Sequence, residues 1–198
     1  PHAAHRYAGM GGVVRRATFL KDFRAGNPDV LLFDCGDISQ GTPYYNLFQG
    51  EVEVKMMNLM GYDAMTIGNH EFDFGLDNMA RLFRMADFPV VCANYDVTGT
   101  VLEGLVKPYV VLNRDGMKIG VFGLSPKMEG LVQADKCEGV VFKDPVPVAN
   151  EVAAKLKDVE GCDAVVCLSH LGIKEDEMLV HQTRNIDVVL GGHSHTFM

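Results

Sequence analysis

Short apolar runs alternate with segments whose apolar residues recur at helical spacing. The apolar runs are bounded by glycine or proline and rich in Val, Leu and Ile, which is typical of buried parallel strands. They span 30–36, 63–68, 89–94, 164–169 and 188–192. Helical spacing occurs in 12–24, 51–60, 76–86, 146–159 and 174–184. This alternation predicts an α/β fold.

The pattern changes after Asn94. Two strand-like runs, 107–113 and 117–124, flank Asp115-Gly116, and an Asp-Gly step between apolar runs is a strong hairpin signal. A hairpin added to parallel units predicts two packed sheets flanked by helices rather than one doubly wound sheet.

Two helical faces follow from the spacing. The inward positions of 51–60 are predicted to be Val52, Met56, Leu59 and Met60. Three aromatic residues follow the loop that ends at Pro43: Tyr44, Tyr45 and Phe48. We expect them to form a helix packing face; the alternative is that they line the mouth of a substrate site.

Size and charge narrow the class of protein. At 198 residues the chain is long enough for one domain with a substantial core. A net charge of −8 without a Lys/Arg cluster argues against nucleic acid or an anionic membrane as the partner. No stretch approaches the roughly 20 apolar residues that span a bilayer. The five cysteines, an odd number, leave the compartment open.

Side chains that bind divalent metal ions follow four of the apolar runs. Because ligands collect just past the carboxyl ends of strands in open α/β sheets, we expect these side chains to lie close together. Imidazole, carboxylate and amide oxygen together suit Zn, Mn, Fe, Co or Ni. The pattern therefore predicts a metal-dependent enzyme, with candidate residues Asp37, Asn69, His70, His170, His193 and His195.

Each of these residues alone has a simpler structural explanation. Asp37 after a glycine suits a turn or a helix cap, Asn69 suits a turn, and His170 could bond to backbone. The pair His193 and His195 beside two glycines is harder to explain by packing. As a set, four strand ends with compatible chemistry favour the metal interpretation.

Motifs of a known family run through the same segments. They are Asp34-x-Gly36-Asp37-x-x-Gln40-Gly41-Thr42-Pro43, Ile67-Gly68-Asn69-His70-Glu71-Phe72-Asp73, Ser169-His170 and Gly192-His193-Ser194-His195. In order and spacing they resemble the calcineurin-like metallophosphoesterases, and more narrowly the bacterial 5′-nucleotidase subgroup. The resemblance covers nearly the whole chain. It implies a four-layer α/β/β/α sandwich with two mixed sheets and a two-metal site at the sheet edges.

The resemblance also implies a metal shell. Asp37 would bridge two divalent ions, and a water held between the ions would attack the phosphorus in line. Asn69, His170 and His193 would complete the shell of the second ion. His195 would bind the first ion.

His70 would not be a ligand under this resemblance. It would stabilise charge on the phosphoryl group or the leaving oxygen, and Asp73 would orient its imidazole. The alternative is that Asp73 caps the helix beginning near Leu76.

One part of the family pattern is missing. The family's opening strand ends in Asp-x-His, and no Asp-x-His occurs in this sequence. We therefore expect residues 1–198 to be an incomplete catalytic domain that lacks its first strand and a C-terminal nucleotide-binding domain. Such a chain should bind at most one metal ion well, have little or no hydrolase activity, and could self-associate through the open strand edge. His2 and His5 are poor substitute ligands.

The reaction expected from the resemblance is metal-dependent hydrolysis of phosphate monoesters, with nucleoside 5′-monophosphates as the leading substrates. The alternatives are a cyclic-nucleotide phosphodiesterase, a thiosulfate-ester hydrolase and a non-catalytic metal-binding fragment. The resemblance alone implies an exported periplasmic or cell-envelope protein.

Overall fold

The computed structural model describes residues 9–41 and 43–197, so His2 and His5 lie outside the described residues. The helices are α1 (Val13–Gly26), α2 (Pro43–Phe48), α3 (Glu51–Met60), α4 (Gly75–Met85), α5 (Pro145–Asp158) and α6 (Ile173–Gln182). The strands are β1 (Phe33–Asp34), β2 (Ala64–Met65), β3 (Val90–Val91), β4 (Tyr95–Asp96), β5 (Val106–Lys107), β6 (Tyr109–Arg114), β7 (Met117–Leu124), β8 (Val141–Phe142), β9 (Ala164–Ser169) and β10 (Val188–Gly191). None of the described helices has both the length and the apolar character needed to cross a membrane.

The described strands form two four-stranded sheets and a separate ribbon. The first sheet has the order β1-β2-β3-β5 and is parallel throughout. The second has the order β10-β9-β7-β6, in which the β6–β7 pair is antiparallel and the other pairs are parallel. Mixed strand directions, predicted for both sheets, therefore occur only in the second. The antiparallel ribbon of β4 and β8 was not predicted from the sequence.

Three apolar clusters give the order of the layers. The first cluster joins α3 and α4 to the first sheet, and the second joins α5 and α6 to the second sheet. The third lies between the sheets and contains the buried residues Ala64, Val91, Val121, Val166 and Leu168. The order is helix, sheet, sheet, helix, which is the predicted sandwich.

Pro108 divides the first arm of the predicted hairpin. β5, just before it, pairs with β3 in the first sheet, whereas β6, just after it, pairs with β7 in the second. Because proline has no N–H to donate to a ladder, it suits the residue at which the chain leaves one sheet for the other. The hairpin turn agrees with the prediction, since Asp115 and Gly116 both have positive φ, of 48° and 77°.

The buried face of α3 agrees only in part with the predicted one. Its buried residues are Val54, Met57 and Met60. Leu59 is 81% exposed, so the prediction for that residue is wrong. Met60 is buried as predicted, and Met56 is partly buried against the first cluster. Val52 and Met56 also line a surface cavity of about 650 Å³ together with residues of α1.

Candidate metal centre

A buried carboxylate shapes the turn that carries Asp37. This turn follows β1, and Asp37 has a φ of 62°. The backbone N–H groups of Asp37 and Ile38 each donate to Glu71 at 2.9 Å, and the N–H of Gly68 donates to the same carboxylate at 2.5 Å. Burial raises the pKa of Glu71 to about 7, although these three donors oppose the shift. Glu71, which the sequence marks only as part of a motif, therefore holds the loops after β1 and β2 together.

The carboxylate of Asp37 has a different neighbour on each oxygen. Oδ1 accepts the backbone N–H of His70 at 2.8 Å, and Oδ2 lies 2.9 Å from Nε2 of His170. Nδ1 of His170 donates to the carbonyl of Cys35 at 2.5 Å, so Nδ1 carries the ring hydrogen. Nε2 is buried and, among the described residues, has no partner at hydrogen-bonding angles. The ring is thus held in the orientation that a metal-ligating imidazole adopts.

Asp37 and His170 also shift each other's charge state. Burial acts to raise the pKa of Asp37, but the adjacent His170 ring and the His70 N–H outweigh burial, and the pKa is lowered. Burial acts to lower the pKa of His170, but Asp37 outweighs it, and the pKa is raised. The pair therefore favours an ionised Asp37 beside a protonated His170, and a metal ion that binds at Nε2 must displace that proton.

His193 and Asn69 add two further donors. One ligand atom each from Asp37, His170 and His193 lies within 4.8 Å of the other two, and the two imidazole centroids are 5.0 Å apart. Asn69 is buried and precedes His70, whose N–H bonds to Asp37; the Asn69 Oδ1 has no hydrogen-bond partner in the described part of the chain. Buried polar atoms without partners are costly unless a ligand satisfies them. The donor set therefore fits a divalent cation.

Asp37, His170 and His193 line a cavity of about 290 Å³, and His195 lies on its wall. It is exposed and does not belong to the close group of donor atoms. No lysine or arginine occurs among the described residues that line the cavity.

One acidic side chain that lines the cavity was not predicted from the sequence. Asp176 is buried, and its carboxylate accepts a hydrogen bond from the hydroxyl of Ser169. Its position in the first turn of α6 is an ordinary place for an acidic residue and gives no separate signal.

The structure brings His70 and Asp73 together, with Nδ1 of the imidazole 3.0 Å from Oδ2 of the carboxylate. The alternative role for Asp73 is not observed, because Phe74 occupies the cap position of α4 and no side chain caps that helix.

Tyr45 donates a hydrogen bond from its hydroxyl to Oδ2 of Asp73 at 2.6 Å. Of the three residues predicted to form a packing face, Tyr45 alone is buried, with its ring 5.0 Å from the ring of Phe74. Tyr44 and Phe48 are 59% and 45% exposed, so the prediction is wrong for these two. The hydroxyl contact could not be predicted, because helical spacing predicts burial and not the partner of a polar atom.

Comparisons with known proteins agree with this fold. A family model described as calcineurin-like phosphoesterase matches residues 2–197. A snake venom 5′-nucleotidase from Gloydius brevicauda is 38% identical over 192 residues, which cover 95% of this chain and 32% of the relative. A 5′-nucleotidase precursor from Thermus thermophilus superposes with a TM-score of 0.90 at 36% identity, covering 94% of this chain and 37% of that structure.

A second similar structure has a different named reaction. The sulfate thiohydrolase SoxB of Thermus thermophilus superposes with a TM-score of 0.86 at 27% identity, covering 95% of this chain and 35% of that structure. The chain spans about a third of the length of these relatives. The family match over residues 2–197 settles the assignment: the chain belongs to the calcineurin-like phosphoesterase family.

Proposed function

We propose that the protein hydrolyses phosphate monoesters and that its substrates are nucleoside 5′-monophosphates. The observation that carries the proposal is the group of donor atoms from Asp37, His170 and His193, which lie within 4.8 Å of one another. The similarity to 5′-nucleotidases from snake venom and from Thermus thermophilus supports the substrate class.

In this proposal Asp37, Asn69, His170 and His193 hold one divalent ion, and His195 serves a second. Zn, Mn, Fe, Co and Ni all suit these donor types. When bound, such ions supply positive charge to phosphoryl oxygens and make water a stronger acid. That charge is needed, because the chain carries −8 overall and the described lining of the cavity offers no basic lysine or arginine.

His70 acts on the phosphoryl group rather than on the ion. Asp73 holds its Nδ1 at 3.0 Å, so Nδ1 carries a hydrogen and Nε2 is the nitrogen left for the substrate. A protonated His70 ring donates from Nε2 to a phosphoryl oxygen or to the leaving oxygen, and Asp73 holds the ring in position.

Residues 1–198 serve as the catalytic domain, and their described donors surround one ion position. The 198-residue chain alone therefore binds one ion well and supports little turnover. Among the described strands, β1 lies at the edge of the first sheet, so a second copy pairs with it to form a dimer. Export is supported by relatives described as venom proteins and as a precursor.

The test uses the protein at its full natural length rather than residues 1–198 alone, stripped of metal and then reloaded with Mn or Zn. Hydrolysis of a nucleoside 5′-monophosphate is the expected result. His70→Ala should lower kcat by roughly 10²–10⁴-fold with bound metal retained, whereas His170→Ala and His193→Ala should lose metal. His181→Ala is the matched control, because His181 is an exposed histidine on α6. Metal-loaded protein that leaves the monophosphate intact would overturn the proposal.

Thiosulfate-ester hydrolysis is the second candidate, favoured by the similarity to SoxB. The same preparations assayed on a thiosulfate ester and on bis-p-nitrophenyl phosphate separate the candidates. Faster turnover of the thiosulfate ester would favour this second reaction, and faster turnover of the diester would favour a phosphodiesterase.

A further inference from the structure

A tyrosine outside the group of metal donors is joined to the His70–Asp73 pair. The Tyr45 hydroxyl and the His70 Nδ1 both reach Oδ2 of Asp73, at 2.6 Å and 3.0 Å. Tyr45 stands on α2, is only 7% exposed, and packs its ring against Phe74. A rigid, buried phenol thus donates to the carboxylate that orients the imidazole.

Asp73 depends on such an anchor for a fixed orientation. Its side chain is 32% exposed and follows the single turn formed by His70–Phe72. A carboxylate in this position has several rotamers open to it, and only some direct an oxygen at the imidazole. Burial, with Asp73 as the next cause, raises the pKa of Tyr45 above its ordinary value, so the hydroxyl remains a donor at neutral pH.

We propose that Tyr45 is a positioning residue for phosphate-ester hydrolysis, holding Asp73 in the rotamer that fixes the ring of His70. The proposal rests on the function proposed above for His70. The connection reaches the metal centre, because the backbone N–H of His70 donates to Asp37 at 2.8 Å. Tyr45 therefore links α2 to the wall of the reaction site.

The test is Tyr45→Phe in the whole, metal-loaded protein, which keeps the ring and removes only the hydroxyl. We expect kcat to fall about tenfold with KM little changed, a smaller loss than the ~10²–10⁴-fold expected for removing His70. In a His70→Ala background, Tyr45→Phe should have no further effect, because both changes act on one unit. Tyr44→Phe is the matched control, since Tyr44 is the next residue on the same helix and is 59% exposed.

A second readout does not depend on turnover. In protein labelled with ¹⁵N-histidine, the Nδ1–H resonance of His70, assigned with His70→Ala, should shift in Tyr45→Phe and not in Tyr44→Phe. Absence of hydrolysis by the parent protein would remove the proposed function, while the resonance would still test the contact. A Tyr45→Phe protein with the parent kcat and the parent resonance overturns the inference. So does a loss of activity that is fully additive with His70→Ala, because a merely structural role gives that result.

Discussion

Gly68 lies so close to Asp37 that a β-carbon on it would be 2.2 Å from the carboxylate Oδ1 and 2.8 Å from the backbone nitrogen. Turning the Asp37 side chain would relieve only the first of these contacts. The loops after β1 and β2 therefore fit together only with glycine at position 68. The constraint at Gly192 is weaker, since a β-carbon there would lie 3.1 Å from Nδ1 of His170.

Gly68→Ala should displace Asp37 and weaken the binding of Mn or Zn by about 10–100-fold, the range typical of changes just behind metal ligands. Titration calorimetry on metal-stripped protein measures the affinity. Gly26→Ala is the control, because a β-carbon at Gly26 would meet open space and its backbone is not in the left-handed region. Equal affinities in the two variants would contradict the prediction.

Glu71→Gln should lower the free energy of unfolding by about 1–3 kcal/mol. The amide nitrogen of glutamine would face a backbone N–H in place of one accepting oxygen, leaving a buried donor unsatisfied. Urea unfolding measures the change. Glu103→Gln provides the comparison, because exposed Glu103 accepts the backbone N–H of Gly99 at 2.8 Å, and we expect a smaller loss there.

Two glycines on β7 offer a matched pair for the packing of the sandwich. A β-carbon on Gly123 would lie 2.1 Å from the carbonyl oxygen of Val91 and 2.2 Å from Oγ1 of Thr66, both in or next to the first sheet. A β-carbon on Gly120 would meet the end of the Leu156 side chain at 2.8 Å.

The carbonyl group of Val91 cannot move aside as the methyl groups of Leu156 can. Gly123→Ala should therefore lower the free energy of unfolding by about 1–3 kcal/mol, and Gly120→Ala should lower it less. Thermal or urea unfolding of the two variants checks the order. The reverse order would mean that the sheets are not in contact at Gly123.

Asp96 should stabilise the folded protein at neutral pH and lose this contribution in acid. Its carboxylate accepts from the hydroxyl of Thr98 at 2.7 Å and lies 3.0 Å from Nζ of Lys143, and these contacts lower its pKa from 3.8 to about 2. A pKa lowered by folding means that the contribution is complete above pH 3.8 and is lost as the pH falls toward 2. The difference in unfolding free energy between the parent protein and Asp96→Asn should therefore shrink from neutral pH to pH 2. A difference that is the same at both pH values would argue against these contacts.

The strands and the place of the site were predictable for a shared physical reason. Parallel strands buried on both faces need near-continuous apolar runs, and their carboxyl ends meet at one edge. Asp37 and His170, 133 positions apart in the chain, follow strands of different sheets and are neighbours where the carboxyl ends of the two sheets meet. Motif resemblance added the pairing of His70 with Asp73, which strand patterns alone do not predict.

Other features depend on neighbours that are distant in sequence. Leu59 is apolar and correctly spaced, yet it is exposed, and the buried residues of α3 are Val54, Met57 and Met60. Pro108 sits within an apparently continuous strand, and only the presence of a second sheet explains the break. The hydroxyl of Tyr45 has its partner 28 positions away, where no local pattern points.

The donors at the metal centre come from both halves of the sandwich. Asp37 and Asn69 follow strands of the first sheet, and His170 and His193 follow strands of the second. An ion bound there cross-links the two sheets, and it stays bound only while the sheets keep this alignment. The dissociation rate of the ion would then report how often the two sheets separate at the site while each half of the sandwich stays folded.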